Sequence, residues 1–278
     1  MLCDAHNHLQ DDWLAPHLDS IAGECDRLGL GAMVVNGTAE ADWPRVAALA
    51  ERFAFVRPSY GLHPWDVAGR SPAWLATLRD RLVAEPRAAV GEIGIDRWIL
   101  ESAPAGYFPA GSPPPAPLAE QTECFLAQLA LAVDLDRPAS IHCLQAWGQL
   151  DELLRSRPLP RRGFLLHAYG GPAEMVPGFA KLGAYFSFNG SFLAERKTRQ
   201  RAAFRAVPAE RLLIETDAPA MPPPAPWLTH PLPPSPEGKP VNHPANLAAT
   251  YRGLAQLRGV PEAELTAQIT ESFARLFG

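Results

Sequence analysis

The chain has 278 residues, of which 47% are hydrophobic and 20% are charged, and its formal net charge at pH 7 is -5. This composition excludes a disordered chain, and the acidic balance argues against a broadly basic nucleic-acid-binding surface. A nucleic-acid enzyme remains compatible with the charge, because bound divalent cations would supply positive charge at the site itself. The length suits one large α/β barrel or two ordinary domains.

Short apolar runs alternate with amphipathic segments along the whole sequence. The first strand is predicted to lead into Asp4-Ala5-His6-Asn7-His8, and the others are predicted over 31–36, 53–57, 87–93, 139–142, 163–167, 184–188 and 211–217. Helices are predicted over 12–28, 42–52, 71–84, 121–135, 150–156, 172–182, 194–206, 244–258 and 261–276. The alternation predicts a parallel sheet, and the length favours its closure as a (β/α)8 TIM barrel that forms a single domain over 1–278. A doubly wound open sheet is the alternative, but no G-x-G-x-x-G turn follows the first strand.

Two proline-rich stretches interrupt this alternation, at about 103–117 and 219–240. Because proline fixes φ and favours polyproline II, both stretches are predicted to be stiff loops. They follow the fourth and the eighth predicted strands, which places them on the carboxyl face of the barrel beside any active site. Drift in the composition of tolerant surface loops is the alternative explanation.

The sequence also bears on the location of the protein. The four cysteines show neither C-x-x-C spacing nor a disulfide pattern, which is typical of thiols in a reducing compartment. No secretory signal opens the sequence, and no apolar stretch is long enough to span a bilayer. We therefore expect a cytoplasmic protein without a membrane anchor, and no protein partner is implied.

Histidines and carboxylates recur at the carboxyl ends of the predicted strands. His6 and His8 lie one strand step apart on the same face, so both imidazoles can reach a single metal ion. The remaining residues of this kind follow later strands: His63, Glu92, His142, His167 and Asp217. In a parallel barrel these strand ends converge on the face that carries TIM-barrel active sites. The sequence therefore predicts a metal site, although a pair of surface histidines near a frayed terminus would explain the first two alone.

The number of candidate ligands favours two ions. Four histidines and two carboxylates exceed what one catalytic metal needs, but they suit two divalent ions, such as Mg²⁺, Mn²⁺ or Zn²⁺, bridged by one carboxylate. We assign the bridge to Glu92, because its strand lies in the middle of the set. Asp217 is predicted to be a ligand that also takes a proton from the attacking water.

Three further polar residues near the strand ends receive provisional roles. His63 is a spare imidazole, predicted either to contact phosphate or substrate or to stabilise the turn before Pro64. Asp4 shares the strand face of His6 and is predicted to accept a hydrogen bond that fixes a ring tautomer. Glu215 has the strand parity of Asp217 but is predicted to be internal and structural.

Several motifs occur in a specific order and spacing along nearly the whole chain. They are Asp4-x-His6-x-His8, Gly61-Leu-His63-Pro64, Val90-Gly-Glu92-Ile-Gly-Ile-Asp96, Ile141-His142, Leu166-His167, Ser187-Phe-Asn-Gly190 and Ile214-Glu-Thr-Asp217-Ala-Pro219. Together they resemble the TatD-like family of metal-dependent deoxyribonucleases, within the amidohydrolase superfamily. The resemblance implies a TIM barrel with a dinuclear metal site that hydrolyses phosphodiesters, generally in DNA. By position, it implies metal ligands at His6, His8, Glu92, His142, His167 and Asp217.

The sequence departs from that family pattern around the expected site. Trp65 stands where a histidine is usual, Leu144 where an arginine is frequent, and Val241 where the late Arg-Asn-x-Pro motif has its arginine. Because guanidinium groups bind phosphate with two parallel hydrogen bonds, these losses alter the expected phosphate-binding surroundings. The candidate metal ligands themselves are all present.

The leading functional hypothesis is a metal-dependent hydrolase of ester bonds, a phosphodiesterase or deoxyribonuclease that cleaves DNA ends with a metal-activated hydroxide. A cationic surround would support it, and the candidates are Arg97, Arg196 and Arg199. The alternative is a small-molecule amidohydrolase or lactonase that uses the same dinuclear site. Its apolar pocket would be lined by Trp65, Tyr107, Trp147, Tyr169 and Trp227. A barrel that keeps the ions but serves only as a binding protein ranks third.

Overall fold

Eight strands form one parallel sheet, in the order in which they occur in the chain. The structure is a computed structural model that describes residues 1–104, 106–108 and 111–278. The strands are β1 (Leu2–Asn7), β2 (Leu30–Asn36), β3 (Val56–Tyr60), β4 (Ala89–Asp96), β5 (Ala139–Leu144), β6 (Phe164–Leu166), β7 (Ala184–Asn189) and β8 (Leu212–Glu215). Almost every strand position is buried, as expected for parallel strands that are covered on both faces.

The sheet closes between β1 and the segment that follows β8. The backbone N–H of Asp217 donates to the carbonyl of His6 at 3.0 Å, and that of His8 donates to the carbonyl of Ala218 at 2.8 Å. Beside these bonds, the Asp4 carboxylate accepts from the backbone N–H of Thr216 at 3.0 Å and from its hydroxyl at 2.6 Å. The predicted barrel is therefore confirmed, and the open doubly wound sheet is excluded.

Helices cover the outside of the barrel and follow most of the strands. They are α1 (Leu18–Arg27), α2 (Trp43–Arg52), α3 (Trp74–Ala84), α4 (Trp98–Glu101), α5 (Leu118–Asp134), α6 (Trp147–Arg155), α7 (Val176–Lys181), α8 (Thr198–Ala206), α9 (Leu247–Arg258) and α10 (Glu262–Phe277). None of the helices in the described ranges is long and apolar enough to cross a membrane.

Some element boundaries differ from those predicted. The third strand was predicted over 53–57 but spans Val56–Tyr60, because the backbone N–H of Phe53 donates to Leu49 and ends α2. The first helix was predicted over 12–28, but Ala15–His17 form a 3-10 turn and α1 begins only at Leu18. The fourth strand continues past its predicted end to Asp96 and pairs with β5 along this extension.

The two proline-rich stretches lie where the chain leaves the carboxyl ends of strands. The first runs between α4 and α5, and its described residues contain neither helix nor strand. Part of that predicted loop, Ala105, Pro109 and Ala110, lies outside the described residues. The second contains a 3-10 turn at Ala225–Trp227 and an isolated bridge between Pro231 and Asn242.

Candidate metal centre

The carboxyl ends of the strands bring the predicted imidazoles and carboxylates into one cluster. His6 and Glu92 lie on β1 and β4, His142 lies on β5, and the others follow the ends of β1, β3, β6 and β8: His8, His63, His167 and Asp217. All are buried except His8, whose side chain is 18% exposed. Each of these residues therefore lies on a strand or just after its carboxyl end, as the sequence predicted.

Glu92 occupies the middle of the cluster, and its two oxygens face different imidazoles. Oε2 lies 3.1 Å from Nε2 of His6 and 3.3 Å from Nε2 of His8. Oε1 lies 2.8 Å from Nε2 of His167 and 3.0 Å from Nδ1 of His142. One carboxylate thus separates two groups of nitrogen donors.

Asp217 joins the group on the Oε2 side of Glu92. Its Oδ1 lies 3.4 Å from Nε2 of His8 and 3.8 Å from Nε2 of His6. The backbone of Asp217 has a positive φ of 53° and is held by its hydrogen bond to His6, so the seam of the barrel orients this carboxylate. A non-glycine residue in this conformation needs such support from its surroundings.

Three of the imidazoles turn one nitrogen towards the cluster and the other towards a fixed partner. His6 Nδ1 lies 2.9 Å from the hydroxyl of Ser140, and His8 Nδ1 donates to the carbonyl of Asn36 at 2.8 Å. His142 Nε2 lies 2.9 Å from Oδ2 of Asp96. Partners of this kind fix the tautomer and orientation of metal-binding histidines, because the second nitrogen then presents a lone pair.

The electrostatics of the cluster favour positive charge. Burial alone would raise the pKa of Glu92, but the imidazoles of His167, His63 and His6 outweigh it and hold that pKa well below its usual range. Burial lowers the pKa of His8 and of His167, but the facing carboxylates more than reverse this and raise both well above the usual value. In the metal-free chain protons thus offset the buried carboxylates, and metal ions would displace them.

The donor set fits divalent metal ions. Donor atoms lie within 4.8 Å of one another in three groups: His6 with His8 and Asp217, His6 with Glu92 and His167, and His63 with Glu92 and His142. Imidazole nitrogens combined with carboxylate oxygens suit Zn²⁺ and Mn²⁺, and Mg²⁺ when further oxygens complete the coordination. These groups are therefore candidate metal ligands.

His63 differs from the other imidazoles of the cluster. Its Nδ1 accepts a hydrogen bond from the backbone N–H of Trp65 at 3.2 Å, so the hydrogen of the neutral ring is on Nε2. That nitrogen lies 3.3 Å from Oε1 of Glu92. Burial lowers the pKa of His63 to about 4, which keeps the ring neutral. His63 is thus an N–H donor at the edge of the cluster, and it also supports the turn before Pro64.

Two neighbouring carboxylates have roles that the sequence predicted incorrectly or missed. The prediction that Asp4 holds an imidazole tautomer is wrong, because its carboxylate binds Thr216 and Asn7 at the seam instead. Asp96, which received no role, is fully buried and holds His142. The sequence feature that could have indicated this role is that Asp96 and Glu92 are an even number of residues apart, which places both side chains on one face of a strand. Glu215 is buried as predicted and accepts from Asn189 at 3.3 Å.

The departures from the family pattern occupy distinct environments. Trp65 donates from Nε1 to Oδ2 of Asp96 at 2.7 Å, so this tryptophan supports the carboxylate that orients His142. Leu144 is 37% exposed at the end of β5, whereas Val241 is buried. Next to Val241, Asn242 donates from its side chain to the carbonyl of Thr216 at 2.9 Å and so supports the segment that carries Asp217.

The five aromatic residues predicted to line one apolar pocket are divided between separate places. Trp65 and Tyr107 are in contact, with ring centroids 5.4 Å apart. Trp147 and Tyr169 pack against each other and Phe179 in the hydrophobic core, 4.7 Å apart. Trp227 lines a cavity of about 510 Å³ together with Leu193 and Arg205.

The three predicted arginines do not contact the cluster within the described part of the chain. Arg97 donates to the side chain of Gln149 at 3.3 Å. Arg196 and Arg199 make no hydrogen bond or ion pair with the candidate ligands in the ranges that the structure covers. The expected cationic surround is therefore not formed by these side chains.

The family model described as TatD related DNase matches residues 3–278. The chain belongs to the TatD family. This TatD-family chain is 30% identical to the 3'-5' ssDNA/RNA exonuclease TatD of Klebsiella pneumoniae over 262 residues, which cover 94% of this chain and 91% of that protein. It is 26% identical to the uncharacterized metal-dependent hydrolase YabD of Bacillus subtilis, across 100% of this chain and 99% of that protein.

A solved structure supports the same assignment. The TatD homolog YJJV from Escherichia coli K12 superposes with a TM-score of 0.83 at 27% identity, and the match covers 99% of this chain and 97% of that chain. The resemblance read from the motifs and the TIM-barrel fold are both confirmed. The TatD family member described here therefore shares its barrel over essentially its full length with a known relative.

Proposed function

We propose that this TatD-family protein is a metal-dependent phosphodiesterase that removes nucleotides from the ends of single-stranded nucleic acid with two divalent ions. The single observation that carries the proposal is the position of Glu92, whose two oxygens face separate groups of imidazoles at 2.8–3.3 Å. A carboxylate in this position suits the bridge of a two-ion site. The name of the Klebsiella relative supports the choice of substrate.

Each ion would have its own set of ligands. His6, His8 and Asp217 would hold the first with Oε2 of Glu92, whereas His142 and His167 would hold the second with Oε1. Two ions supply a water nucleophile at neutral pH and stabilise the charge on the attacking and leaving oxygens. We propose Mg²⁺, Mn²⁺ or Zn²⁺, because the mixed nitrogen and oxygen donors accept all three.

The side chains contribute proton transfer and positioning. Burial raises the pKa of Asp217, but the hydrogen bond and charge of His8 outweigh it, so the carboxylate is ionised. Its Oδ1 faces the imidazoles of the first group, which leaves the other oxygen to accept a proton from the attacking water. His63 would donate from Nε2 to a phosphate oxygen, because its tautomer places a hydrogen there. Asp96 and Ser140 hold the rings of His142 and His6 in place while the substrate reacts.

The alternative of an amidohydrolase or lactonase has less support. The five aromatic side chains that were predicted to line its apolar pocket are divided between three places in the barrel. We further propose that the protein acts in the cytoplasm, because its four cysteines are buried and unpaired.

The test combines metal content with hydrolysis. Wild type, Glu92→Ala and Glu123→Ala, a control at an exposed carboxylate on α5, would be assayed with Mg²⁺, Mn²⁺ and Zn²⁺ on a short single-stranded oligonucleotide and on bis(p-nitrophenyl) phosphate. We expect two ions per chain and cleavage by wild type and the control, with both lost in Glu92→Ala. Two bound ions without phosphodiester cleavage would reject this function and direct the search to amides and lactones.

A further inference from the structure

Four aromatic side chains form a cluster beside the candidate metal centre. Trp65, Trp98, Tyr107 and Phe108, here called the aromatic cluster, lie with ring centroids 5.1–6.4 Å apart. Three of them come from the end of β4 onwards, on α4 and on the first proline-rich loop, and Trp65 follows β3. Most of these contacts are edge-to-face, the geometry that aromatic pairs prefer.

The aromatic cluster is directly connected to the metal centre. The ring of Trp65 lies 5.1 Å from that of His63 and 6.3 Å from that of His142. Its Nε1 also donates to Asp96, the carboxylate that holds His142. A continuous series of rings therefore leads from the candidate ligands towards solvent.

The outer end of the aromatic cluster is accessible. Tyr107 is 40% exposed, one of the few large hydrophobic side chains in the described ranges with that much exposure. Among the described residues, no arginine or lysine stacks on any of the four rings. By contrast, Tyr169 belongs to the buried core, and Trp147 packs against it half-buried.

We propose that the aromatic cluster stacks an unpaired nucleobase adjacent to the scissile phosphodiester, with Tyr107 as its exposed platform. This inference rests on the proposed phosphodiesterase function and deepens it by naming how substrate is bound. The cluster lies against the centre where phosphate would react, and within the described ranges Arg97, Arg196 and Arg199 make no hydrogen bond or ion pair with that centre. Stacking on aromatic side chains tolerates any base, because every base has a π-face.

Stacking also determines which nucleic acid is a substrate. A base in a duplex is already stacked and paired, so it must be released before it can contact Tyr107, whereas a base at a single-stranded end is available. The acidic chain, with a net charge of -5, gains little from the many phosphate contacts on which duplex binding depends. We therefore expect single-stranded ends to be preferred over blunt duplex ends.

The test removes the base from the substrate and the ring from the protein. Four oligonucleotides would be compared: intact, abasic at the 3' terminal nucleotide, abasic at the next nucleotide, and abasic far from the end. In wild type, loss of one of the two terminal bases should lower kcat/KM by about 5- to 150-fold, as base stacking predicts, and the distant abasic site should have no effect. Tyr107→Leu, which keeps an apolar side chain but removes the ring, should cleave intact and abasic ends almost equally.

Two comparisons separate stacking from damage to the site. Tyr107→Phe keeps the ring and should retain the preference for a terminal base. Tyr107→Leu should cleave the terminally abasic oligonucleotide as fast as wild type does, because the metal ligands are unchanged. If Tyr107→Leu instead slows intact and abasic ends by the same factor, the residue is structural and stacking is wrong.

The outcomes distinguish the inference from the function on which it rests. If wild type cleaves intact and abasic ends equally while Glu92→Ala is inactive, stacking is wrong and the phosphodiesterase stands. If wild type cleaves none of them, the function fails, and quenching of tryptophan fluorescence by the same oligonucleotides still decides the inference. Equal affinity for intact and abasic ends in that binding assay would overturn it.

Discussion

Replacement of Asp96 by asparagine tests whether the metal centre depends on a residue that touches no metal. Asp96 is fully buried, and its Oδ1 accepts from the backbone N–H of Ile99 at 3.0 Å. Its Oδ2 accepts both from Nε2 of His142 at 2.9 Å and from Nε1 of Trp65 at 2.7 Å. In Asp96→Asn the oxygen remains opposite Ile99, and the amide nitrogen then faces two N–H donors.

The consequence for His142 is a change of tautomer. Opposite an amide N–H, the imidazole must accept on Nε2, which moves its hydrogen to Nδ1, the nitrogen that lies 3.0 Å from Oε1 of Glu92. That hydrogen occupies the lone-pair position through which His142 would bind an ion. Loss of partners of this kind lowers metal affinity by about 10- to 100-fold, or about 1.4–2.8 kcal/mol.

The assay is a competition titration of chelator-treated protein with a divalent ion, which measures the Kd of each site without any turnover. Asp96→Asn should raise the Kd of the ion that His142 and His167 would hold, and it should leave the fold intact by circular dichroism. Trp65→Phe is the matched control, because it removes the second donor to the same oxygen and keeps the contact with His142. An unchanged Kd in Asp96→Asn, or an equal loss in Trp65→Phe, would refute the reasoning.

Three further predictions concern stability. The buried Tyr251 hydroxyl donates to the carbonyl of Cys3 at 3.0 Å and accepts from the backbone N–H of Cys3 at 3.0 Å. Tyr251→Phe should therefore lower the free energy of unfolding, measured in urea, by about 1–3 kcal/mol. An unchanged free energy would mean that these two hydrogen bonds contribute nothing. Burial raises the pKa of Asp66 to about 7. Between about pH 4 and 7 the native state therefore binds more protons than the unfolded chain, and the free energy of unfolding falls as pH rises through that window. Asp66→Asn should therefore stabilise metal-free protein more at high pH than at acidic pH, and a pH-independent effect contradicts this. Divalent ions added to chelator-treated protein should raise Tm, because only the native cluster binds them, and the rise should vanish in Glu92→Ala; an equal rise in that variant would place the ions elsewhere.

The fold was predictable because parallel strands buried on both faces appear in the sequence as separate apolar runs. The boundaries of the strands and helices were harder to predict. Phe53 has the composition of a strand residue, yet its backbone N–H ends α2, and the strand begins only at Val56. A local pattern does not distinguish an apolar residue that caps a helix from one that starts the next strand.

The candidate ligands were predictable from position, whereas their partners were not. His6 and His142 occupy strand ends, which the alternation of elements locates without coordinates. Ser140 and Asp96 contact these rings across strands that are far apart in sequence, and such contacts depend on the register between strands. Asp4 shows the same limit: its partner is Thr216 at the seam and not an imidazole.

The closure of the barrel between β1 and the segment after β8 has a consequence for synthesis of the protein. His8 leaves the ribosome early and Asp217 late, and at ordinary translation rates roughly 10–40 s separate them. Throughout that interval the nascent chain lacks the segment that pairs with the free side of β1, so this strand remains an exposed edge. With the ligands proposed above, the first ion could bind only near the end of synthesis, because Asp217 is among the last of them to be made, and an unfinished chain would compete poorly for scarce metal.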